Sequence, residues 1–210
     1  MDDTFLPLSL KRSFDILFSL AALLTLLPLM LLLAFLVKWS SKGPIFFSQE
    51  RLGRGGKPFR CYKFRSMYVD ASQKLATLLE SHEEYQREWE QKQKLRHDPR
   101  VTPLGQFLRK SCLDELPQFW NVLKGDLSIV GPRPVVQEEL QRHFTPEQAN
   151  KILSVRPGLT GLWQTSGRND LSYQERLFLE ESYVDSHTLW LDLWLIAKTI
   201  PCMLSQRGAY

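Results

Sequence analysis

Residues Ile16–Val37 read ILFSLAALLTLLPLMLLLAFLV, 22 positions without a charge. A stretch of that length and composition is long enough to cross a bilayer as a helix. Its flanks sharpen the reading. Lys11 and Arg12 precede it, and Lys38 and Lys42 follow it. Basic flanks favour the cytoplasmic side, so cations at both ends predict that both ends face the cytoplasm. Pro28 falls near the middle of the stretch. Proline lacks an amide hydrogen and clashes with the preceding turn, so it kinks or breaks a helix. Ser19 and Thr25 are placed to satisfy the backbone groups that such a break frees. These features predict a re-entrant hairpin rooted at Lys11 and Arg12 and bent at Pro28, with a single span as the alternative. The stretch is too long for the core of a signal peptide, and no small-residue cleavage site follows it, so a cleaved leader is not expected.

Outward from this segment, residues 38–68 carry eight Lys or Arg against one acid, Glu50. Basic residues beside a membrane segment attract anionic lipid. The same residues can hold a phosphorylated substrate or form a solvated face. The net charge of the 210-residue chain is only +4. A charge so modest and so close to a membrane segment argues against nucleic-acid binding. Cys61, Cys112 and Cys202 are far apart, without the paired spacing of a zinc site or a disulfide framework. They fit a reducing, cytoplasmic setting. His82, His97, His143 and His187 match no catalytic pattern.

The remaining chain reads as short elements. Ile45–Phe47 and Phe59–Phe64 have strand composition, and the glycine-rich basic loop 53–58 between them predicts a hairpin. Its glycines match neither a P-loop nor a dinucleotide fingerprint. Ala71–Arg96 has the spacing of one mixed-charge helix, ended by His97-Asp98-Pro99. A short helix starts over Leu104–Leu108. Thr145-Pro146-Glu147 opens another as cap, first-turn proline and first-turn acid. Arg156–Gly161 reads as a loop and Tyr173–Tyr183 as a helix. In Leu189–Leu204, Trp190, Leu193, Trp194, Ala197 and Ile200 recur at helical spacing, which suits a helix lying in a membrane interface. A buried core helix is the alternative.

Two adjacent carboxylates stand out in Arg109-Lys110-Ser111-Cys112-Leu113-Asp114-Glu115-Leu116-Pro117-Gln118. Ser111 or Asp114 can cap a helix that Gly125 ends, which puts Asp114 and Glu115 in or just before its first turn. There the helix dipole favours the ionised form. Acids in first turns are common, and capping alone would account for them. The cations Arg109 and Lys110 and the rigid Gly131-Pro132-Arg133-Pro134 turn point further. A diphosphate needs cations or Mg²⁺ to neutralise it. An ionised Asp can serve as a covalent nucleophile. A hard metal would be held by carboxylate and phosphate oxygens.

The ordered set of motifs resembles the bacterial sugar transferases of the monotopic phosphoglycosyl transferase superfamily. The matching stretches are Lys11–Asp15, the apolar segment with Pro28, Gly43–Phe46, Gln49–Gly53, Tyr62–Met67, Leu113–Gln118, Gly131–Pro134 and Pro157–Gly161. The resemblance implies a mainly helical α+β fold. Residues 1–40 would form the re-entrant membrane helix hairpin, and residues 41–210 a cytosolic-face catalytic domain with short strands and interfacial amphipathic helices. It implies that Asp114 attacks the β-phosphorus of a UDP-sugar and expels UMP. Undecaprenyl phosphate would then take the sugar phosphate from Asp114, the first membrane step of surface glycan synthesis. Mg²⁺ would bind at Asp114 and the diphosphate, and Glu115 would position groups or handle a proton. Arg109 and Arg133 would bind phosphate, with Lys63 and Arg65 lining the same site. The stretch Trp163–Arg168 resembles the catalytic domain of larger hexose-1-phosphate transferases and makes Arg168 a candidate for the nucleotide. The extra spanning helices and further domain of those larger members are not in this chain, which weakens a choice between galactose, glucose and an N-acetylated hexose.

The resemblance further implies residence at the cytoplasmic face of the bacterial inner membrane, contact with anionic lipid and no nucleic-acid partner. A homodimer stays open. Two other readings compete with it. A glycosyltransferase using a lipid acceptor would release UDP instead of UMP. A nonenzymatic membrane scaffold would tolerate Asp114→Asn.

Overall fold

The computed structural model describes residues 8–92, 95 and 97–205. Helix α1 (Leu8–Ser40) contains the whole apolar stretch and runs as one helix with Pro28 inside it. Leu17, Leu20, Leu24, Leu27, Leu31 and Phe35 are exposed along it. Their spacing of three and four residues makes this one apolar face with no protein against it. Thr25 Oγ1 donates to the carbonyls of Ala21 and Ala22, and Ser19 Oγ is buried with no hydrogen-bond partner among the described residues. Neither hydroxyl serves the carbonyl of Leu24, the one that Pro28 leaves without its amide, so the expected rescue of the proline site is not made this way. Thr25 instead bonds back one turn along its own helix, as hydroxyl side chains in helices do.

Strands β1 (Phe46–Leu52) and β2 (Pro58–Phe64) form an antiparallel hairpin in which Phe46 faces Phe64 and Leu52 faces Pro58. A 3-10 turn at Arg54–Gly56 closes it. Helices α2 (Ala71–Ser81) and α3 (Glu83–Lys92) replace the single expected helix. The break is His82, whose backbone is extended. Glu83 and Glu84 then favour a new N-terminus through the helix dipole. Residues 93, 94 and 96 of that expected helix lie outside the described residues.

Then come α4 (Pro103–Lys110), α5 (Gln118–Lys124), β3 (Ser128–Val130), α6 (Gln137–His143) and α7 (Pro146–Leu153). Thr145 caps α7 in a reciprocal box with Gln148, as the Thr-Pro-Glu start predicted. Strand β4 (Gly158–Thr160) pairs parallel to β3, where the sequence suggested only loop. Three residues are too short a run for a period to show. The chain ends through α8 (Leu162–Ser166), α9 (Tyr173–Ser186) and α10 (Leu189–Ser205).

Two apolar clusters hold these elements together. One joins Val122, Leu127, Ile129, Val130, Tyr183 and Leu195. The other joins Leu33, Val37, Phe64, Leu108 and Leu116, and Phe119 of α5 packs against both. Both ends of α1 dock on this one body. Near its start, Asp15 accepts from Ser128 Oγ and the Ile129 amide, both at 3.0 Å, and Lys11 pairs with Asp192 of α10. Near its end, Leu33 and Val37 enter the second cluster. Asn121 of α5, fully buried, accepts from the Tyr62 amide and donates to the Arg60 carbonyl, which ties the hairpin to α5. On α10, Leu195 and Asp192 face inward, while Trp190, Leu193, Trp194 and Ile200 are exposed.

Candidate active site

Helix α4 stops at Lys110. Ser111 Oγ donates to the carbonyls of Phe107 and Leu108, so it finishes α4 and does not cap α5 as expected. Cys112 follows in the left-handed region at φ 56°. Glycine usually fills that position after a helix. A side chain there costs about 1–3 kcal/mol. The chain then tightens into a 3-10 turn, Leu113–Glu115, before Pro117 leads into α5. Asp114 and Glu115 therefore sit on a strained turn between two helices.

Lys63, at the end of β2, reaches this turn. Its Nζ lies 2.5 Å from Glu115 Oε1 and 4.0 Å from Asp114 Oδ2. Asp114 is only 5% exposed. Burial pushes its carboxyl up to about 6, helped by the charge of Glu115, while Lys63 and Arg109 pull it down. The sequence-based expectation of an ordinary first-turn carboxylate missed this, because desolvation outweighs any dipole. Burial also works against the charge of Glu115. Lys63, Arg133 and Arg168 together outweigh it and hold that carboxyl below the usual glutamate range. The pair is thus divided: Glu115 stays ionised against Lys63, and Asp114 titrates close to neutrality.

Arg109, in the last turn of α4, donates from Nε to Ser66 Oγ at 2.9 Å, and its charge acts on Asp114. Arg168 has a left-handed backbone at φ 54°, and its Nη1 lies 3.4 Å from Cys112 Sγ. Among the described residues, the two non-glycine residues with positive φ thus touch each other beside the dyad.

The floor of the pocket is the Gly131-Pro132-Arg133-Pro134 turn laid against β4. Gly131 N donates to Thr160 O, and Gly158 N donates to Pro132 O. A Cβ on Gly158 would come within 2.1 Å of Gly131 N, so this contact requires glycine. Arg133 N donates to Glu180 Oε2 at 2.9 Å, and Arg51 Nη1 donates to Pro134 O at 3.1 Å. Pro132 and Pro134 have no amide to satisfy. The turn is therefore tied at each end and in the middle. Arg133 and Arg176 stack on Trp163, each 5.0 Å from the ring, and Arg176 pairs with Glu139 at 2.6 Å. The pocket beside the dyad is lined by Lys63, Glu115, Gln118, Arg133, Leu159 and Gln164, with Arg51, Cys61, Pro134 and Gly158. Three cations, Arg51, Lys63 and Arg133, against one acid, Glu115, in one recess suit an anionic, phosphate-bearing substrate.

A scan for known families matches a bacterial sugar transferase model over residues 6–206. The chain belongs to the bacterial sugar transferase family. It is 46% identical to the undecaprenyl-phosphate galactose phosphotransferase of Salmonella typhimurium, over 96% of this chain and 42% of that protein. It is 47% identical to the exopolysaccharide production protein ExoY of Sinorhizobium fredii, over 95% of this chain and 88% of that one. A UDP-N-acetylgalactosamine-undecaprenyl-phosphate N-acetylgalactosaminephosphotransferase of Aeromonas hydrophila is 38% identical, over 95% of this chain and 45% of that protein. The chain spans less than half the length of the Salmonella and Aeromonas relatives.

In this member of the family, Lys63, Glu115 and Arg133 line the recess, Asp114 is buried on the turn beside it, and the charges of Arg109 and Arg168 act on Asp114 and Glu115 respectively. The structure does not bring Arg65 there. Strand β2 ends at Phe64, and the Arg65 guanidinium turns back to the end of α1. There it donates to the carbonyls of Ser41 and Lys42 and to Ser41 Oγ. Its charge completes the C-terminus of the apolar helix. Pro28, Lys11 and Arg12 all lie on α1, as expected from their numbers.

The sequence reading missed Arg51, Glu139, Arg176 and Glu180, which fix the Arg133 turn. Arg176 and Glu180 are spaced like an ordinary surface pair on a helix, and nothing local signals that both are buried. Among the described residues, no three His, Cys, Asp or Glu side chains converge on one point. The dyad therefore offers one or two hard oxygens, which matches the way Mg²⁺ binds when substrate phosphates supply the rest of its shell.

Proposed function

We propose that this protein transfers a sugar-1-phosphate from a UDP-sugar to undecaprenyl phosphate and releases UMP, through a phosphosugar ester on Asp114. The observation that carries this reading is the divided dyad: a buried Asp114 under the charges of Lys63 and Arg109, next to Glu115, which lines a pocket whose floor presents Arg133. The names of the relatives support the acceptor and the reaction class.

In the first step an ionised Asp114 oxygen attacks the β-phosphorus. The bond to the bridging oxygen breaks, and UMP leaves with that electron pair. In the second step an oxygen of undecaprenyl phosphate attacks the same phosphorus. Asp114 departs as a carboxylate, leaving the diphosphate-linked sugar. With its carboxyl near 6, Asp114 is mostly ionised at pH 7 yet more basic than an exposed aspartate, which favours it as a nucleophile. Glu115 stays ionised and holds Lys63, so its role is to keep a cation beside the reacting phosphate. Arg109, Arg133 and Arg168 hold the diphosphate. Asp114, with substrate oxygens, would hold Mg²⁺, which when bound neutralises phosphate charge.

Membrane residence supports access to a polyprenyl acceptor. Helix α1 packs on the rest of the protein from Asp15 and Phe18 through Leu26 and Met30 to Leu33 and Val37, and leaves one apolar face bare. The bare apolar face of α1 and the exposed tryptophans of α10 then enter the bilayer from one side. We read α1 as a re-entrant element and the protein as monotopic, at the cytoplasmic face of the bacterial inner membrane. Release of UMP from UDP-sugars, dependent on Asp114 and on undecaprenyl phosphate, tests this function. UDP release would instead mean glycosyl transfer.

A further inference from the structure

A second cavity lies away from the dyad, at the root of α1, and shares no lining residue with the first. Arg54 from the hairpin turn, Arg156 from the loop before β4, and Lys11 and Asp15 of α1 border it, with Val130, Val155 and Tyr183 among its apolar walls. Arg12 belongs to the same group: its Nη1 and Nη2 donate to the carbonyls of Val122 and Leu123, while Arg156 Nε donates to Gly125 O.

The charge here is not balanced from within. Lys11 is neutralised by Asp192. Asp15 spends Oδ1 on Ser128 and Ile129. Among the described residues none of Arg12, Arg54 and Arg156 forms an ion pair with a carboxylate. Burial first, and then the charges of Arg12 and Arg54, depress the Arg156 guanidinium, and the nearby charge of Asp15 offsets part of this. Capping the carbonyl end of α5 explains Arg12 and Arg156. It does not explain Arg54, which is exposed and reaches this place from a distant hairpin. Guanidinium groups with donors to spare and no acid partner suit a phosphate.

We propose that Arg54 and Arg156, with Arg12 beside them, seat the phosphate of an anionic phospholipid head group at the cytoplasmic root of α1. The cavity has apolar walls and adjoins the first residues of an apolar helix, where a head group rather than a soluble anion is at high local concentration. The proposal rests on the reading that α1 enters the membrane from this end.

The test uses the purified full chain in dodecyl maltoside micelles. Dihexanoyl phosphatidylglycerol and dihexanoyl phosphatidylcholine are added in turn, retained lipid is counted by native mass spectrometry, and turnover is read on the same samples. The expected result is preferential retention of one phosphatidylglycerol. Its affinity should weaken about fivefold on Arg54→Ala and again on Arg156→Gln, with turnover of UDP-sugars on undecaprenyl phosphate kept in the absence of added phospholipid. Equal retention of both lipids, or retention indifferent to Arg54→Ala, overturns the proposal. Arg54 is exposed, so that variant tests the site without a folding defect. Inorganic phosphate displacing phosphatidylglycerol at equal concentration would assign a soluble anion and overturn the lipid assignment. Loss of turnover with lipid retention intact would instead count against the transferase reading alone.

Discussion

Arginines gather in two places in this protein, and their partners differ. Behind the pocket beside the dyad, Arg51 and Arg176 pair with Glu139, the Arg133 amide donates to Glu180, and the Arg133 and Arg176 guanidinium groups both stack on the ring of Trp163. At the root of α1, Arg12, Arg54 and Arg156 meet backbone carbonyls and one another. The first set is compensated from inside the fold and so fixes geometry. The second set is left with charge to spare, and an external anion is the natural complement. Residue type and burial alone do not separate the two; an ion pair between guanidinium and carboxylate does.

The sharpest separation comes from Asp114→Asn. UMP release should fall by about a thousandfold or more, as for loss of a covalent nucleophile, while retention of phosphatidylglycerol stays unchanged. An active Asp114→Asn protein in a clean preparation would remove the nucleophile assignment.

The next effect is on the compensated set. Glu180→Leu removes the acceptor of the Arg133 amide and leaves Arg176 without that acid. KM for the UDP-sugar should rise by about tenfold, with kcat changed less, and Glu180→Gln should restore most of the loss because its amide oxygen still accepts. Equal damage from both variants would mean that charge, not positioning, is what Glu180 contributes.

Acidity gives a third test. Asp114 must be ionised to attack, so turnover should fall as pH drops through about 6. Lys63 pulls that carboxyl down, so Lys63→Met should move the acid limb upward in pH. A limb that stays in place would show that Lys63 does not act on Asp114.

A smaller effect concerns stability. Burial pushes Glu180 up to about 7. Between its ordinary range near 4.5 and 7 the folded protein binds more protons than the unfolded chain, so stability falls as pH rises through that window. The span is at most ~3 kcal/mol. Thermal unfolding followed from pH 5 to 8 should show the decline, and Glu180→Gln should flatten it. At the uncompensated cluster, Arg54→Ala should change thermal stability by no more than about 0.5 kcal/mol, the range for an exposed side chain. A larger loss would make Arg54 structural and blur the contrast.

Much of the candidate site was legible in the chain because its elements are local. The apolar stretch, the adjacent Asp114 and Glu115, and the rigid Gly-Pro-Arg-Pro turn are each a few consecutive residues. The basic stretch 38–68 was legible only as charge. Folding divides it: Lys63 goes to the dyad, Arg51 to the Pro134 carbonyl, Arg65 to the end of α1 and Arg54 to the second cavity. Alternation along a strand would have kept Lys63 and Arg65 on one face. The end of β2 at Phe64 sends them apart. The supports of Arg133 were invisible because Glu139, Arg176 and Glu180 read as solvated helix charges until packing buries Arg176 and Glu180 and half-buries Glu139.

The sequence by itself determined that one long apolar helix stands beside a carboxylate pair and a basic hairpin, since hydropathy, proline and glycine act over a few residues. Only the tertiary structure decided which cations face which acids. That depends on burial and packing: desolvation raised Asp114 towards neutrality, and among the described residues the packing at the root of α1 puts no carboxylate in an ion pair with Arg12, Arg54 or Arg156.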